Sequence, residues 1–162
     1  MFEHFSTPED LFEYQLGSAL TMEEDSLAML RELEMASQST TIKELFAHHR
    51  GETEHQIENL ERAFQILGKQ PGGAPSAATK GLMKEGASLI AKSDKSLVDS
   101  VALSAALGTE HFEISAYQSL CTAAEALGET GVQDLLQQNL DEEKRASEEL
   151  AQTARKLVLT GL

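Results

Sequence analysis

Apolar residues recur at steps of three and four in four long stretches of the chain, and each stretch loses its apolar character near its middle. From Leu97 to Leu127 the stripe runs Leu103, Leu107, Ile114, Tyr117, Cys121 and Ala124, the periodicity of one amphipathic helix. Glu110 lies on that stripe, between Leu107 and Ile114. A carboxylate on an apolar seam is costly unless something pairs with it. The segment Glu110-His111-Phe112-Glu113 therefore needs a chemical reason.

The other stretches repeat the anomaly. Thr7-Pro8-Glu9-Asp10 opens the first helix with an N-cap, a proline at the first helical position and acids in the first turn. The stripe Phe12, Leu16, Ala19, Glu23, Leu27, Leu30 carries it to about Ser37, where Ser37-Gln38-Ser39-Thr40 breaks the pattern and caps the second helix. The second seam, Leu45, His49, Glu52, Gln56, Leu60, Phe64 (or Ala63) and Leu67, is polar through its whole central turn and stops at Gly68. After the tight turn Gly128–Gly131 the last seam reads Val132, Leu136, Asn139 or Leu140, Glu143, Ala146, Leu150, Ala154, Leu157. The predicted helices are about 8–37, 41–67, 97–127 and 131–159, in one domain over residues 1–162, with a loose end at Met1–Ser6 and a finish at Thr160-Gly161-Leu162. Strand alternation and hairpin turns are absent, so the fold class is all-α.

Lys69–Thr79, with Pro71-Gly72-Gly73 and Pro75, reads as an irregular connector, and residues 81–92 as a short extra helix. The link from Gly68 to Ser96 is far longer than an antiparallel pair requires. It can cross the roughly 40 Å length of such helices, which sets the third long helix parallel to the second. The expected architecture is a ferritin-like four-helix bundle with one long crossover, carrying the short helix, between helices two and three.

Glu23, Glu52, Glu110 and Glu143 each fall within about one turn of their own helix midpoint. Aligned helices put the four carboxylates in one layer, where like charges repel strongly unless they are protonated, solvated or bound to cations. Bundles that hold two bridged metals use single glutamates and Glu-x-x-His pairs on facing helices. Glu52-Thr53-Glu54-His55 supplies one such pair; the last helix has none, since Ala146 and Ser147 follow Glu143, and the third adds Glu113 one turn from Glu110. The candidate metal ligands are Glu23, Glu52, His55, Glu110, Glu113 and Glu143, an oxygen-rich set suited to two Fe or Mn ions rather than Zn or Cu. Blander roles fall to His49 as a hydrogen-bonded seam histidine, His111 beside the site, Tyr117 in the core within donor range of a ligand, and Glu85 in solvent. Gln56 could bond a ligand carboxylate.

Charge narrows the partners. The formal net charge is −14, from 27 acidic and 13 basic residues. That disfavours nucleic acid and anionic membranes and favours attraction of cations. The single Cys121 has no disulfide partner, which fits a reducing cytoplasm. Neither a signal peptide nor an apolar run of the ~18 residues needed to span a bilayer is visible.

Several segments also resemble a known family: His49-Arg50-Gly51-Glu52-Thr53-Glu54-His55-Gln56-Ile57, Gly81-Leu82-Met83-Lys84-Glu85-Gly86, Glu110-His111-Phe112-Glu113-Ile114-Ser115-Ala116-Tyr117 and Leu140-Asp141-Glu142-Glu143-Lys144. They are similar to motifs of the YciE/YciF group of bacterial stress-associated proteins, within the ferritin-like superfamily. The resemblance implies a bundle that forms a homodimer and holds a di-metal centre, with Glu23, Glu52, Glu110, Glu113 and Glu143 as ligands. The chain departs from that pattern at Ser147, where the group often has Asp, at Glu23-Glu24 in place of Glu-Lys, and at His55. The activity expected is oxidation of Fe(II), or consumption of peroxide, with Glu52 and Glu143 bridging and Glu23 and Glu110 capping. The rival expectation is a non-catalytic, partner-binding stress module with a vestigial site.

Overall fold

Thr7 starts the first helix as its sequence requires. Its hydroxyl accepts from the Asp10 N–H at 3.1 Å, and the Asp10 carboxylate accepts from the Thr7 N–H at 3.2 Å, a reciprocal capping box. The elements are α1 (Pro8–Ala36), α2 (Thr40–Ile66), α3 (Ala77–Ala91), a 3-10 turn (Lys95–Leu97), α4 (Val98–Leu127) and α5 (Thr130–Thr160). This computed structural model describes residues 4–160. Residues 1–3 of the expected loose end, and Gly161-Leu162 at the expected finish, lie outside the described residues. Among the described residues there is no strand, and no helix is long and apolar enough to cross a membrane.

Two boundaries differ from the expectation, each for a local reason. The crossover helix begins at Ala77 rather than near 81, because Ala77 and Ala78 favour helix without carrying an apolar stripe. Thr79 pins this first turn, its hydroxyl 3.1 Å from Asp25 Oδ2 and 2.8 Å from Ser76 Oγ. The turn between α1 and α2 is not capped by its own serines: Ser37 Oγ donates back to the Leu33 carbonyl at 2.8 Å, and Ser39 makes no side-chain cap bond. Asp99 of α4 does the work instead, accepting from the Gln38 and Ser39 N–H groups at 2.7 and 3.0 Å. A carboxylate is favoured beside the N–H groups that open a helix.

That contact also fixes the topology. The start of α4 lies beside the start of α2, so these two helices run parallel while α1 and α5 run against them. The crossover traverses the bundle, as its length predicts. It lies flat on α1 where Gly17 removes a side chain: a Cβ there would meet the Gly72 carbonyl oxygen at 2.7 Å. The Gly17 carbonyl in turn accepts from the Ala74 N–H at 2.9 Å. Gly68 and Gly128 end α2 and α4 with φ of 69° and 75°, the left-handed region that glycine adopts without a Cβ penalty.

The apolar core is split in two. One cluster gathers Phe12, Leu16, Leu20, Leu60, Phe64, Leu120 and Leu136. The other gathers Met29, Leu30, Ile42, Phe46, Leu103 and Leu150. Burial of each such side chain contributes about 1.5–3 kcal/mol, so the clusters clamp the four long helices above and below the segment that separates them. Polar side chains fill that segment.

Candidate metal centre

Four helices deliver one layer between the clusters: Glu23 from α1, His49 from α2, Glu110 and Glu113 from α4, and Glu143 from α5. None is more than 3 % exposed. The positions follow from the helical repeat, since Glu110 and Glu113 share a face one turn apart and Glu23 and Glu143 continue apolar seams. On α2 the buried positions are Phe46, His49, Thr53, Gln56 and Leu60. At about 100° per residue, Glu52 lies ~60° from His49 around the helix and His55 about 120° away.

The structure therefore separates the candidate residues predicted from sequence. Glu23, Glu110, Glu113 and Glu143 come together, with His49 among them. Glu52 stands at the rim, its side chain 17 % exposed. His55 falls outside the layer, half exposed and 3.6 Å from Glu142. His111 and Glu85 are exposed. Gln56 is fully buried, and neither side-chain polar atom has a partner. Sequence reasoning gave no role to Asn59 or Asn139; a polar residue on the last seam at Asn139 was the available signal.

His49 bridges the rim and the interior. Its Nε2 lies 2.8 Å from Glu110 Oε1, and its Nδ1 lies 3.3 Å from Glu52 Oε2. Arg145 Nη2 donates to the other Glu52 oxygen at 2.8 Å. One ligating atom from each of His49, Glu110 and Glu143 lies within 4.8 Å of the other two. On the far side the Tyr117 hydroxyl donates to Glu23 Oε1, and Asn139 Nδ2 donates to the Tyr117 oxygen at 3.0 Å.

The electrostatics follow from burial. Burial pushes Glu23 up to about 8; the Tyr117 hydrogen bond opposes this and the Glu110 charge reinforces it. Glu113 and Glu143 are held well above the usual carboxylate range by burial first, then by the neighbouring glutamates. Burial disfavours the His49 charge, but Glu110 and Glu52 outweigh it and hold the imidazole well above its ordinary value. Glu52, less buried, is pulled below its ordinary value because His49, His48 and Arg145 outweigh its desolvation. A metal-free layer thus keeps protons on Glu23, Glu113 and Glu143 and a charged His49 between Glu52 and Glu110.

The residues fit a metal. Glu23 Oε2, Glu110 Oε2, Glu113 Oε1 and both Glu143 oxygens are buried without a hydrogen-bond partner, and buried polar atoms are rarely left so. Hard carboxylate oxygens with one imidazole nitrogen suit Fe or Mn.

Residues 7–162 match the family described as Domain of unknown function (DUF892). The chain belongs to this family. Protein YciF of Escherichia coli is 29% identical over 153 residues, 93% of this chain and 92% of that protein. The crystal structure of the E. coli stress protein YciF matches with a TM-score of 0.90 at 28% identity, covering 96% of this chain and 99% of that one. YcfI from Rhodopseudomonas palustris matches at 0.88 and 31% identity, over 91% and 98% of the two chains. A two-domain protein from Anabaena variabilis with DJ-1/ThiJ/PfpI-like and ferritin-like domains matches at 0.71 and 19% identity, covering 97% of this chain and 39% of that one, and shows the fold alone. The ferritin-like bundle and the YciF kinship inferred from the motifs both hold. Fold and buried His/Glu cluster together are compatible with metal binding.

Proposed function

We propose that Glu23, His49, Glu110, Glu113 and Glu143 hold a dinuclear Fe or Mn centre that oxidises Fe(II) or consumes peroxide, in a protein of the stress response. The observation that carries this reading is the set of partnerless, fully buried carboxylate oxygens in one layer beside a histidine nitrogen. Four ionised carboxylates also balance the charge of two divalent cations. A bound pair of ions supplies electrons to dioxygen or peroxide and stabilises the charge that develops on oxygen.

The chain's own residues prepare that chemistry. Glu52, fixed by Arg145, holds His49 Nδ1–H and so aims Nε2 into the layer, the outer contact that orients a histidine ligand. Tyr117 occupies Glu23 Oε1 and leaves Oε2 free. The two apolar clusters keep bulk water away from the layer, which strengthens every charge interaction inside it. The E. coli relative is named a stress protein, which supports the biological setting. Cys121 is free and buried, which supports a cytoplasmic location.

A second reading, a dimeric partner-binding module with a vestigial site, draws on one observation: with Glu23 raised to about 8, protonation alone can quiet the layer. Metal content decides between them. The protein is loaded anaerobically with Fe(II) or Mn(II), desalted and measured by plasma mass spectrometry beside a Glu110→Ala/Glu143→Ala variant. The dinuclear reading expects about two metals per chain, lost in the variant. No retained metal in the unsubstituted protein overturns it in favour of the module.

A further inference from the structure

The chain has two tyrosines and no tryptophan, and the structure treats the tyrosines differently. Tyr14 is half-buried on α1, its ring tilted against Phe5 with centroids 4.8 Å apart. Tyr117 is fully buried, and its hydroxyl proton has one place to go. Asn139 Nδ2 sits 3.1 Å from the Gln56 carbonyl oxygen, which can only accept, and Asn59 Nδ2 donates to Asn139 Oδ1 at 2.8 Å. These two contacts fix the Asn139 amide with its NH2 toward Tyr117. The Tyr117 oxygen therefore accepts from Asn139 and donates to Glu23 Oε1. A phenol buried against a carboxylate of the layer, its proton aimed at that carboxylate by a fixed amide, is arranged to lose proton and electron together.

We propose that Tyr117 is a one-electron donor to the site, giving an electron to peroxide alongside Fe(II) while its proton passes to Glu23. This rests on the metal-site reading above. Peroxide takes two electrons and two protons to become two waters. Fe(II), the substrate, gives one electron and becomes Fe(III); Tyr117 gives the other. The Tyr117 O–H bond breaks, its proton goes to Glu23 Oε1, the two protons for water come from solvent, and a neutral phenoxyl radical remains. With a single Fe(II) at hand, the second electron prevents release of hydroxyl radical from half-reduced peroxide.

The test loads metal-free protein anaerobically with one Fe(II) per chain, mixes it with hydrogen peroxide, freezes it within milliseconds and records the radical by electron paramagnetic resonance. Bound iron and its oxidation state are measured on the same samples. Tyr14→Phe protein, in which Tyr117 is the remaining tyrosine, should keep the phenoxyl signal, and the signal should narrow when the protein is grown on ring-deuterated tyrosine. Tyr117→Phe, still binding iron, should lose at least tenfold of the signal. Bound and oxidised iron without a phenoxyl signal in Tyr14→Phe protein, or an undiminished signal in Tyr117→Phe, overturns the proposal while sparing the metal site. Failure to bind iron before peroxide is added overturns the metal site and this role with it.

Discussion

Glu143→Gln turns the electrostatics of the layer into a stability measurement. Glu143 is buried with both oxygens unpaired, and burial, then the Glu113 and Glu110 charges, hold it well above its ordinary value of 4.5. Because the folded value is the higher one, the folded state binds more protons across the window between the two values. Metal-free stability is then fully present at low pH and falls as pH rises, by up to about 1.4 kcal/mol per pH unit for this group. Glutamine removes that slope. Its buried amide costs about 1–3 kcal/mol through an unpaired N–H, but at every pH alike. The diagnostic is therefore the change in the variant's relative stability between about pH 5 and pH 8, expected at roughly 2–4 kcal/mol in the variant's favour at the higher pH. Urea unfolding of metal-free protein at both values measures it. A difference between variant and parent that stays constant across that window would refute the argument, since Glu143 would then be ionised in the fold or solvated.

Three further outcomes follow from single contacts. Glu52→Gln releases His49 Nδ1 from its carboxylate and should weaken metal binding about 10–100-fold in a chelator competition; unchanged affinity would mean that Glu52 does not orient the imidazole. Gly17→Ala drives a methyl toward the Gly72 carbonyl and should cost about 1–3 kcal/mol as the crossover is displaced, seen in thermal melts. Asp99→Ala strips the Gln38 and Ser39 N–H groups of their acceptor and should cost about 0.5–2 kcal/mol, whereas Ser39→Ala should cost nearly nothing by the same unfolding assay.

The helices were legible because each seam carries enough apolar residues to fix its phase, and the parallel course of α4 followed from chain length alone. Glu23, Glu110, Glu113 and Glu143 were legible for the same reason: apolar neighbours on both sides locate them on a buried face. The central turn of α2 offered no such markers. His49, Glu52, Thr53, His55 and Gln56 are all polar, so the Glu-x-x-His spacing pointed to His55, while the apolar residues flanking the turn, Phe46 and Leu60, set a face that buries His49 and leaves His55 outside. The Asn59–Asn139–Tyr117–Glu23 chain and the Asp99 cap could not be read at all. Each joins residues on different helices, and nothing in one helix's periodicity says what the next presents to it.

Anomalous X-ray diffraction from crystals of the protein loaded with Fe(II) or Mn(II), recorded at the metal's absorption edge, addresses the central claim most directly. The account predicts two anomalous peaks per chain inside the bundle, bonded to the unpaired oxygens of Glu23, Glu110, Glu113 and Glu143, with His49 Nε2 on one of them. Peaks confined to the acidic surface, or an interior without any under saturating metal, would contradict it.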